Sequence, residues 1–240
     1  MKLFHRWMAA LAASLMLATI AIGPTAAAAD KPLKIGIIGT GKIDGALAVH
    51  WAKAGHELLI SSRHPEELQP LAKQLGPKVR VGTPQEAAAF GEVILLSVPY
   101  AATPQIGKDF AKELQGKVVI DTGNPYPQRD GAMAEDARKR STGVTSAEFL
   151  PGVKLARAFN QIAENNLKTQ GNKPERFAIP IAADDKQALA VTERLVNEAG
   201  FDAVVVGPLA RAREFDFGTP AYGKLTTATE LRKLFPPPAK

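Results

Sequence analysis

The segment from Lys34 to Gly45 constrains the fold of this chain more than any other part of the sequence. It reads KIGIIGTGKIDG, a short apolar run that ends in closely spaced glycines and leads directly into a helical pattern. A strand, a glycine turn and a helix in this order begin a dinucleotide-binding unit. Gly39 allows a sharp turn, and Gly41 lacks a Cβ, so a pyrophosphate can approach the backbone. Asp44 replaces the third glycine of the G-x-G-x-x-G pattern, and Gly45 follows one residue late.

Apolar runs alternate with helical patterns along most of the chain. This predicts an α/β fold with a doubly wound, mostly parallel, Rossmann-like sheet and a C-terminal strand–helix–strand extension. The predicted strands are Leu33–Gly39, Glu57–Ser61, Lys78–Gly82, Val93–Val98, Lys117–Asp121, Val153–Phe159, Arg176–Ala182 and Asp202–Gly207. The predicted helices are Lys42–Ala54, Pro65–Leu75, Pro84–Phe90, Pro104–Leu114, Ala163–Thr169 and Asp184–Ala199. Between Thr122 and Gly152 the pattern is irregular, with one short helix predicted at Ala132–Lys139.

The first 29 residues have the pattern of an export signal. Lys2 and Arg6 precede an uncharged run from Trp7 to Ile22, and alanines follow a Gly-Pro pair. We therefore expect two parts, a cleaved signal peptide at 1–29 and a dinucleotide-binding domain with its extension at 30–240. This predicts a periplasmic or secreted protein without a membrane span once the signal is removed. An uncleaved anchor and a start codon placed too early are the alternatives.

Composition excludes several classes of function. The chain has no cysteine, so disulfides, thiol catalysis and cysteine-ligated iron–sulfur clusters are excluded. The formal net charge is +6, of which Lys2 and Arg6 contribute two, and no basic run with interleaved aromatic residues suggests nucleic-acid binding. No histidine–carboxylate cluster has the spacing of a metal site. His50 and His56 are expected to be structural or surface residues.

Polar residues at the predicted strand ends indicate the cofactor and its position. The second strand ends in Ser62-Arg63 with no acidic residue, which favours the 2′-phosphate of NADP(H) over NAD(H). Ser97-Val98-Pro99 ends the fourth strand, Asn124 follows the fifth and Asn160 follows the sixth. Ligands bind at the carboxyl ends of such strands, so these residues together would form a site.

As a set, these segments resemble the NADPH-dependent reductases of the deazaflavin coenzyme F-420 and the dinucleotide-binding oxidoreductases around them. The segments that carry the resemblance are Ile35–Gly41, Ile60–Arg63, Ser97–Pro99, Val119–Asp121, Asn124-Pro125 and Ala158–Asn160, and it extends from about Lys34 to Gly207.

The resemblance implies a division of roles among these residues. Thr40, Gly41, Lys42 and Ile43 would hold the pyrophosphate. Ser62 and Arg63 would hold the 2′-phosphate, Val98 and its neighbours would lie near the nicotinamide ribose, and Asn160 would lie near the nicotinamide. Two departures from the family pattern, Asp44 and the Glu66-Glu67 pair, are expected to weaken cofactor binding.

The resemblance also implies the reaction. The family passes hydride between NADPH and a flat ring, so a flavin or F-420 is the implied co-substrate and a small-molecule electron acceptor the implied partner. No residue is assigned an acid–base role, and a homodimer is an open alternative for the assembly. The competing hypothesis is an exported nucleotide-binding module with little or no turnover. A hydroxyacid or imine reductase ranks last, because only about 80 residues follow Asn160.

Overall fold

Unbroken apolar runs form the central strands of the fold, as expected for a sheet that is covered on both faces. The computed structural model describes residues 31–39 and 41–236, so the predicted signal at 1–29 lies outside the described residues. Val93, Ile94, Leu95 and Leu96 are all almost inaccessible to solvent. None of the helices in the described ranges is long and apolar enough to cross a membrane.

The sheet confirms all eight predicted strands to within a few residues. These are β1 Lys34–Ile38, β2 Glu57–Ser61, β3 Val79–Gly82, β4 Val93–Leu96, β5 Val118–Asp121, β6 Lys154–Arg157, β7 Ala178–Ala183 and β8 Asp202–Gly207. Their order in the sheet is β3-β2-β1-β4-β5-β6-β7-β8. The first six strands are parallel, β7 is antiparallel to β6, and β8 is parallel to β7. The chain therefore has a doubly wound α/β fold, with β7 and β8 as the C-terminal extension.

Helices cover both faces of this sheet. They are α1 Lys42–Lys53, α2 Gln69–Leu75, α3 Pro84–Phe90, α4 Thr103–Asp109, α5 Ala111–Leu114, α6 Pro127–Arg140, α7 Thr142–Phe149, α8 Glu164–Gln170, α9 Lys186–Glu198 and α10 Ala228–Leu234. Short 3-10 turns lie at Pro65–Leu68, Tyr100–Ala102 and Leu209–Glu214. One apolar core lies on the side of α1 and α9, and a second lies on the side of α3 and α7.

The interval from Thr122 to Gly152 is more regular than the sequence prediction. It contains α6, which is kinked at Gly131, and also α7, which was not predicted. The buried face of α7 carries Thr142, Gly143, Thr145 and Ser146 rather than apolar side chains, so its periodicity is invisible in a hydrophobic pattern. A Cβ on Gly143 would lie 2.5 Å from the carbonyl oxygen of Leu209, so this face is selected for close packing.

Two other helix predictions need correction. The helix predicted at Pro104–Leu114 is interrupted at Phe110, whose backbone leaves the helical region between α4 and α5. The 3-10 turn Leu209–Glu214 and the helix α10 follow the last strand and were not predicted. By contrast, α9 agrees closely with its predicted range, and the side chain of Asp185 caps it by accepting a bond of 2.9 Å from the backbone N–H of Ala188.

Candidate functional site

The turn after β1 depends on a glycine at position 39. Gly39 has a φ of +89°, a conformation that L side chains rarely adopt. A Cβ at this position would lie 2.4 Å from the carbonyl oxygen of Ser97 and 2.7 Å from Cγ1 of Val98. The turn therefore passes directly against the end of β4, where the backbone N–H of Ser97 donates to Ile38 with a bond of 3.0 Å.

The first helical turn after this glycine is the predicted pyrophosphate site. Lys42 and Ile43 are the first two residues of α1, and Ile43 packs partly against the apolar core. Thr40 lies outside the described residues. A helix start of this kind presents unpaired backbone N–H groups, which bind anions well. Any contribution of Ile43 to phosphate binding therefore has to come from its backbone.

The end of β2 presents a hydroxyl group and a guanidinium group. The Ser62 hydroxyl accepts a 3.0 Å bond from the backbone N–H of His64, which orients its oxygen and leaves its own proton available to another group. Arg63 is exposed, and no carboxylate in the described part of the chain forms an ion pair with it. Glu66 and Glu67 are exposed on the following 3-10 turn.

A cleft of about 550 Å³ joins these elements. Seven of the predicted site residues line it, namely Gly39, Gly41, Ser62, Arg63, Ser97, Val98 and Pro99. The rest of its wall comes from Ile38, Pro84, Ala102, Gln105, Ile106, Asp109 and Phe110. Its volume is within the range of about 300–1,000 Å³ that is usual for small-molecule and cofactor sites. The cleft lies at the β1–β4 boundary, where the strand order of the sheet reverses.

Asn124 and Asn160 meet beyond the adjacent strand ends and do not line this cleft. The side-chain amide of Asn124 donates to the backbone carbonyl of Asn160 at 2.7 Å, and the Asn160 amide donates to Asn124 Oδ1 at 3.4 Å and to Asp216 Oδ1 at 3.3 Å. Asn160 Oδ1 is buried and has no hydrogen-bond partner within residues 31–39 and 41–236. A buried acceptor of this kind is available to a ligand that brings its own N–H group.

A buried arginine fixes this pair, and the sequence analysis missed it. Arg157 is fully buried, with Nη1 3.0 Å from a carboxylate oxygen of Asp121 and Nη2 3.0 Å from one of Asp216. Nη1 also donates to the backbone carbonyl of Gly123 at 2.7 Å. Burial alone disfavours the guanidinium charge, but the two carboxylates outweigh it and raise the pKa of Arg157. The available signal was a single charged residue in the middle of an otherwise apolar stretch, Leu155–Phe159.

Asp130 connects the loops that follow β4 and β5. Its carboxylate accepts bonds from the backbone N–H groups of Tyr126 at 2.9 Å and of Ala101 at 3.4 Å, and it pairs with Arg129 at 2.8 Å. Burial opposes the charge on Asp130, but the bonds from Arg129 and from these backbone groups outweigh it and lower its pKa. This carboxylate therefore holds the two loops together.

An aromatic cluster of Tyr126, Phe217 and Tyr222 lies next to the asparagine pair. The Phe217 ring meets the Tyr126 ring edge-on at 4.8 Å and the Tyr222 ring at 5.3 Å, and the two tyrosine hydroxyls are 2.8 Å apart. Burial and the bond with Tyr126 raise the pKa of Tyr222. The backbone N–H of Gly223 donates to the carbonyl of Gln161 at 2.7 Å, which ties Tyr222 to the residue that follows Asn160.

His50 and His56 have structural roles, one of the two outcomes that the sequence predicted for them. His56 is buried, accepts from the backbone N–H of Leu33 at 3.0 Å and lies 2.7 Å from Glu198. His50 bonds through Nε2 to the carbonyl of Leu167 at 2.8 Å. Among the residues that the structure describes, no group of three or more histidine or acidic side chains could hold a metal ion.

The fold and the cleft together define a dinucleotide-binding Rossmann oxidoreductase. A family model described as "NADP oxidoreductase coenzyme F420-dependent" matches residues 34–125. An F420-dependent NADP reductase from Methanothermobacter marburgensis is 30% identical over 214 residues, which cover 83% of this chain and 95% of that protein. The corresponding protein from Methanothermobacter thermautotrophicus is 29% identical, with 83% and 92% covered.

A solved structure shares the fold. A hypothetical protein from Sinorhizobium meliloti, SMa0349, superimposes with a TM-score of 0.72 at 25% identity, covering 82% of this chain and 96% of that one. This chain therefore belongs to the family of F420-dependent NADP reductases and is an NADP(H)-dependent oxidoreductase.

Proposed function

We propose that this chain transfers hydride between NADPH and a flavin or deazaflavin ring, with NADP(H) held in the cleft at the β1–β4 boundary. The observation that carries the proposal is the meeting of the Gly39 turn and the Ser62-Arg63 strand end in one cleft. These are the two features that bind a pyrophosphate and a ribose 2′-phosphate in this fold. No side chain at the end of β2 presents a carboxylate to the cleft, which is consistent with NADP(H) rather than NAD(H).

The residues of the cleft fit this cofactor. A Cβ at Gly39 would fill the space where the turn meets β4, so the glycine keeps the backbone open to a phosphate group. Ser62 donates its free hydroxyl proton, and Arg63 donates charge-assisted bonds, to the 2′-phosphate. Thr40, Gly41, Lys42 and Ile43 bind the pyrophosphate, chiefly through backbone N–H groups.

The asparagine pair orients the reacting end of the cofactor. Asn160 does not line the cleft, but its buried Oδ1 has no other partner in the described residues, so it would accept a hydrogen bond from the nicotinamide carboxamide where the cofactor extends past the cleft. NADPH supplies the hydride, and a ring acceptor takes that hydride together with one proton from water. Such a transfer depends on ring stacking more than on an acid–base side chain. The acceptor is therefore a flat ring compound, with F-420, FMN and FAD as the candidates.

The first experiment tests the cofactor assignment with Arg63→Ala. A lost hydrogen bond to a charged group costs about 1.5–3 kcal/mol. NADPH binding should therefore weaken about tenfold or more, while NADH binding changes little. Arg232→Ala is the matched control, because Arg232 is exposed on α10 and does not line the cleft. Equal losses for NADPH and NADH would reject the assignment of the 2′-phosphate to Arg63.

The second experiment tests the acceptor. NADPH oxidation by the purified protein is measured with F-420, FMN, FAD and a panel of small carbonyl compounds and imines. Turnover with a ring compound is expected. Turnover with carbonyl compounds or imines alone would reject the ring acceptor, and tight NADPH binding without any turnover would favour a nucleotide-binding module.

The cellular location of the protein is a separate part of the proposal. The basic start, the apolar run and the alanine-rich region in residues 1–29 support export to the periplasm or the medium. Sequencing the N-terminus of the native protein should find a start at or next to Asp30. An intact Met1 on the native protein would reject cleavage.

A further inference from the structure

A second cavity, of about 380 Å³, opens between the C-terminal half of α6 and the segment that follows the 3-10 turn Leu209–Glu214. Its lining residues are Glu135, Arg138, Lys139, Arg213, Asp216, Phe217, Gly218 and Thr219. It shares no lining residue with the cleft at the β1–β4 boundary. The two are therefore separate cavities.

The charge around this cavity is mainly positive. Arg138, Lys139 and Arg213 are exposed, and no carboxylate in the described ranges forms an ion pair with any of them. Asp216 also lines the cavity, but its carboxylate is already bonded by Arg157 at 3.0 Å and by the backbone N–H of Thr142 at 3.2 Å. Glu135 is the other acidic lining residue, so the cationic groups outnumber the carboxylates that remain available.

Thr219, one of the lining residues, carries a further hydrogen-bond donor. The Thr219 hydroxyl is buried and has no hydrogen-bond partner in the part of the chain that the structure describes. A buried hydroxyl without a partner is costly unless a ligand or water bonds to it. Arg138 lies over the Phe217 ring at 5.8 Å, which restrains one of the guanidinium groups at the cavity. One restrained guanidinium group, two further cations and a hydroxyl are a suitable set of donors for a phosphate or carboxylate.

Two residues connect the cavity to the reacting end of the proposed site. Phe217 belongs to its lining and also packs edge-on against Tyr126 and Tyr222. Asp216 belongs to its lining and also accepts a bond from Asn160 at 3.3 Å. The cavity therefore shares wall residues with the aromatic cluster and with the hydrogen-bond network of Asn160.

We infer that this cavity binds an anionic group, a phosphate or a carboxylate, carried by the electron acceptor. This inference rests on the proposed function, because only that function makes the bound molecule the electron acceptor. F-420, FMN and FAD all carry such an anionic group, so the inference excludes uncharged rings such as riboflavin as good acceptors. Arg138, Arg213 and Lys139 supply the charge, and Thr219 donates its hydroxyl proton.

The test compares FMN with riboflavin, which have the same ring and differ by one phosphate. Dissociation constants are measured by titration in saturating NADP⁺, so that the FMN phosphate cannot enter the cofactor cleft. FMN should bind at least tenfold more tightly than riboflavin. In the double variant Arg138→Ala, Arg213→Ala this difference should disappear through a loss of FMN affinity alone. The double variant Arg138→Lys, Arg213→Lys should keep part of the affinity difference between FMN and riboflavin. The control Arg232→Ala should keep all of it.

The outcomes separate this inference from the proposed function. Equal affinity for FMN and riboflavin, or an FMN preference that survives the double alanine variant, would overturn the anion site and leave hydride transfer intact. FMN selectivity that depends on the two arginines, without NADPH oxidation by any ring compound, would support the anion site and overturn the proposed acceptor. NADP⁺ affinity in each variant reports whether folding is preserved, and the exposed positions of both arginines favour this.

Discussion

Removing the buried guanidinium of Arg157 should destabilise the fold strongly. Arg157→Met keeps most of the side-chain volume but leaves the carboxylates of Asp121 and Asp216 without their cation. Both side chains are almost inaccessible to solvent, with exposed fractions of 1% and 6%. Breaking a buried ion pair by removing one partner costs about 3–5 kcal/mol, because the remaining charges are uncompensated.

Urea unfolding measures this cost. With a slope of about 3 kcal/mol per molar urea, a loss of about 3–5 kcal/mol lowers the unfolding midpoint by about 1–2 M. Arg140→Met is the matched control, since Arg140 also contacts two carboxylates, those of Asp136 and Glu148, but on the surface. Exposed pairs contribute about 0–1 kcal/mol, so the control should change the midpoint little.

A triple variant tests whether the uncompensated carboxylate charges, rather than the substitution at position 157 itself, cause the loss of stability. Asp121→Asn, Arg157→Met and Asp216→Asn together remove every charge of the network. Most of the lost stability should return, because neutral replacements of a buried ionic network are often tolerated. Two results would contradict this explanation of the lost stability. Arg157→Met could lower the free energy of unfolding no more than Arg140→Met does, or the triple variant could be less stable than Arg157→Met alone.

Two further predictions concern the loops around the cleft. Asp130→Asn should lower the free energy of unfolding by about 1.5–3 kcal/mol at pH 7. Because folding lowers the pKa of Asp130, its stabilisation is present above the unfolded value of about 3.9 and is lost as the pH falls further, so wild type and variant should converge in acid unfolding curves. Gly39→Ala should weaken NADPH binding at least tenfold in a titration, since its φ and the carbonyl of Ser97 both exclude a Cβ. Gly45→Ala is its control, with open space around the added methyl group, and equal effects of the two would contradict the steric argument.

The strands and the cleft could be predicted because their signals are local. Largely apolar runs identified β1 to β8, and a glycine turn followed by Ser62-Arg63 indicated which ends of the strands meet. The helix α7 escaped prediction because tertiary packing against Leu209 selects small polar residues on its buried face. The hydrogen bonds of Arg157 join residues that are 34 to 59 positions apart, and no periodic pattern encodes such pairs.

The Asn124–Asn160 contact was only partly foreseen. Parallel strand ends placed both residues at one edge of the sheet, as predicted. The attachment of Asn160 to Asp216 depends on the segment after β8, which has no regular pattern in the sequence. The aromatic cluster likewise requires the chain to return from Phe217 and Tyr222 to Tyr126.

The division of the binding surface along the chain has a consequence for how such proteins diversify. Every residue lining the cleft lies between Ile38 and Phe110, whereas the second cavity is built wholly from residues 135–219. On the two proposed assignments, mutations in the later stretch can alter the electron acceptor while the earlier stretch keeps its nucleotide. The Arg157 network joins β5 to the later segment, so a chimera that exchanges the later stretch must inherit Asp121, Arg157 and Asp216 from one parent. Recombination that separates these three should yield chains with lowered stability rather than chains that differ only in specificity.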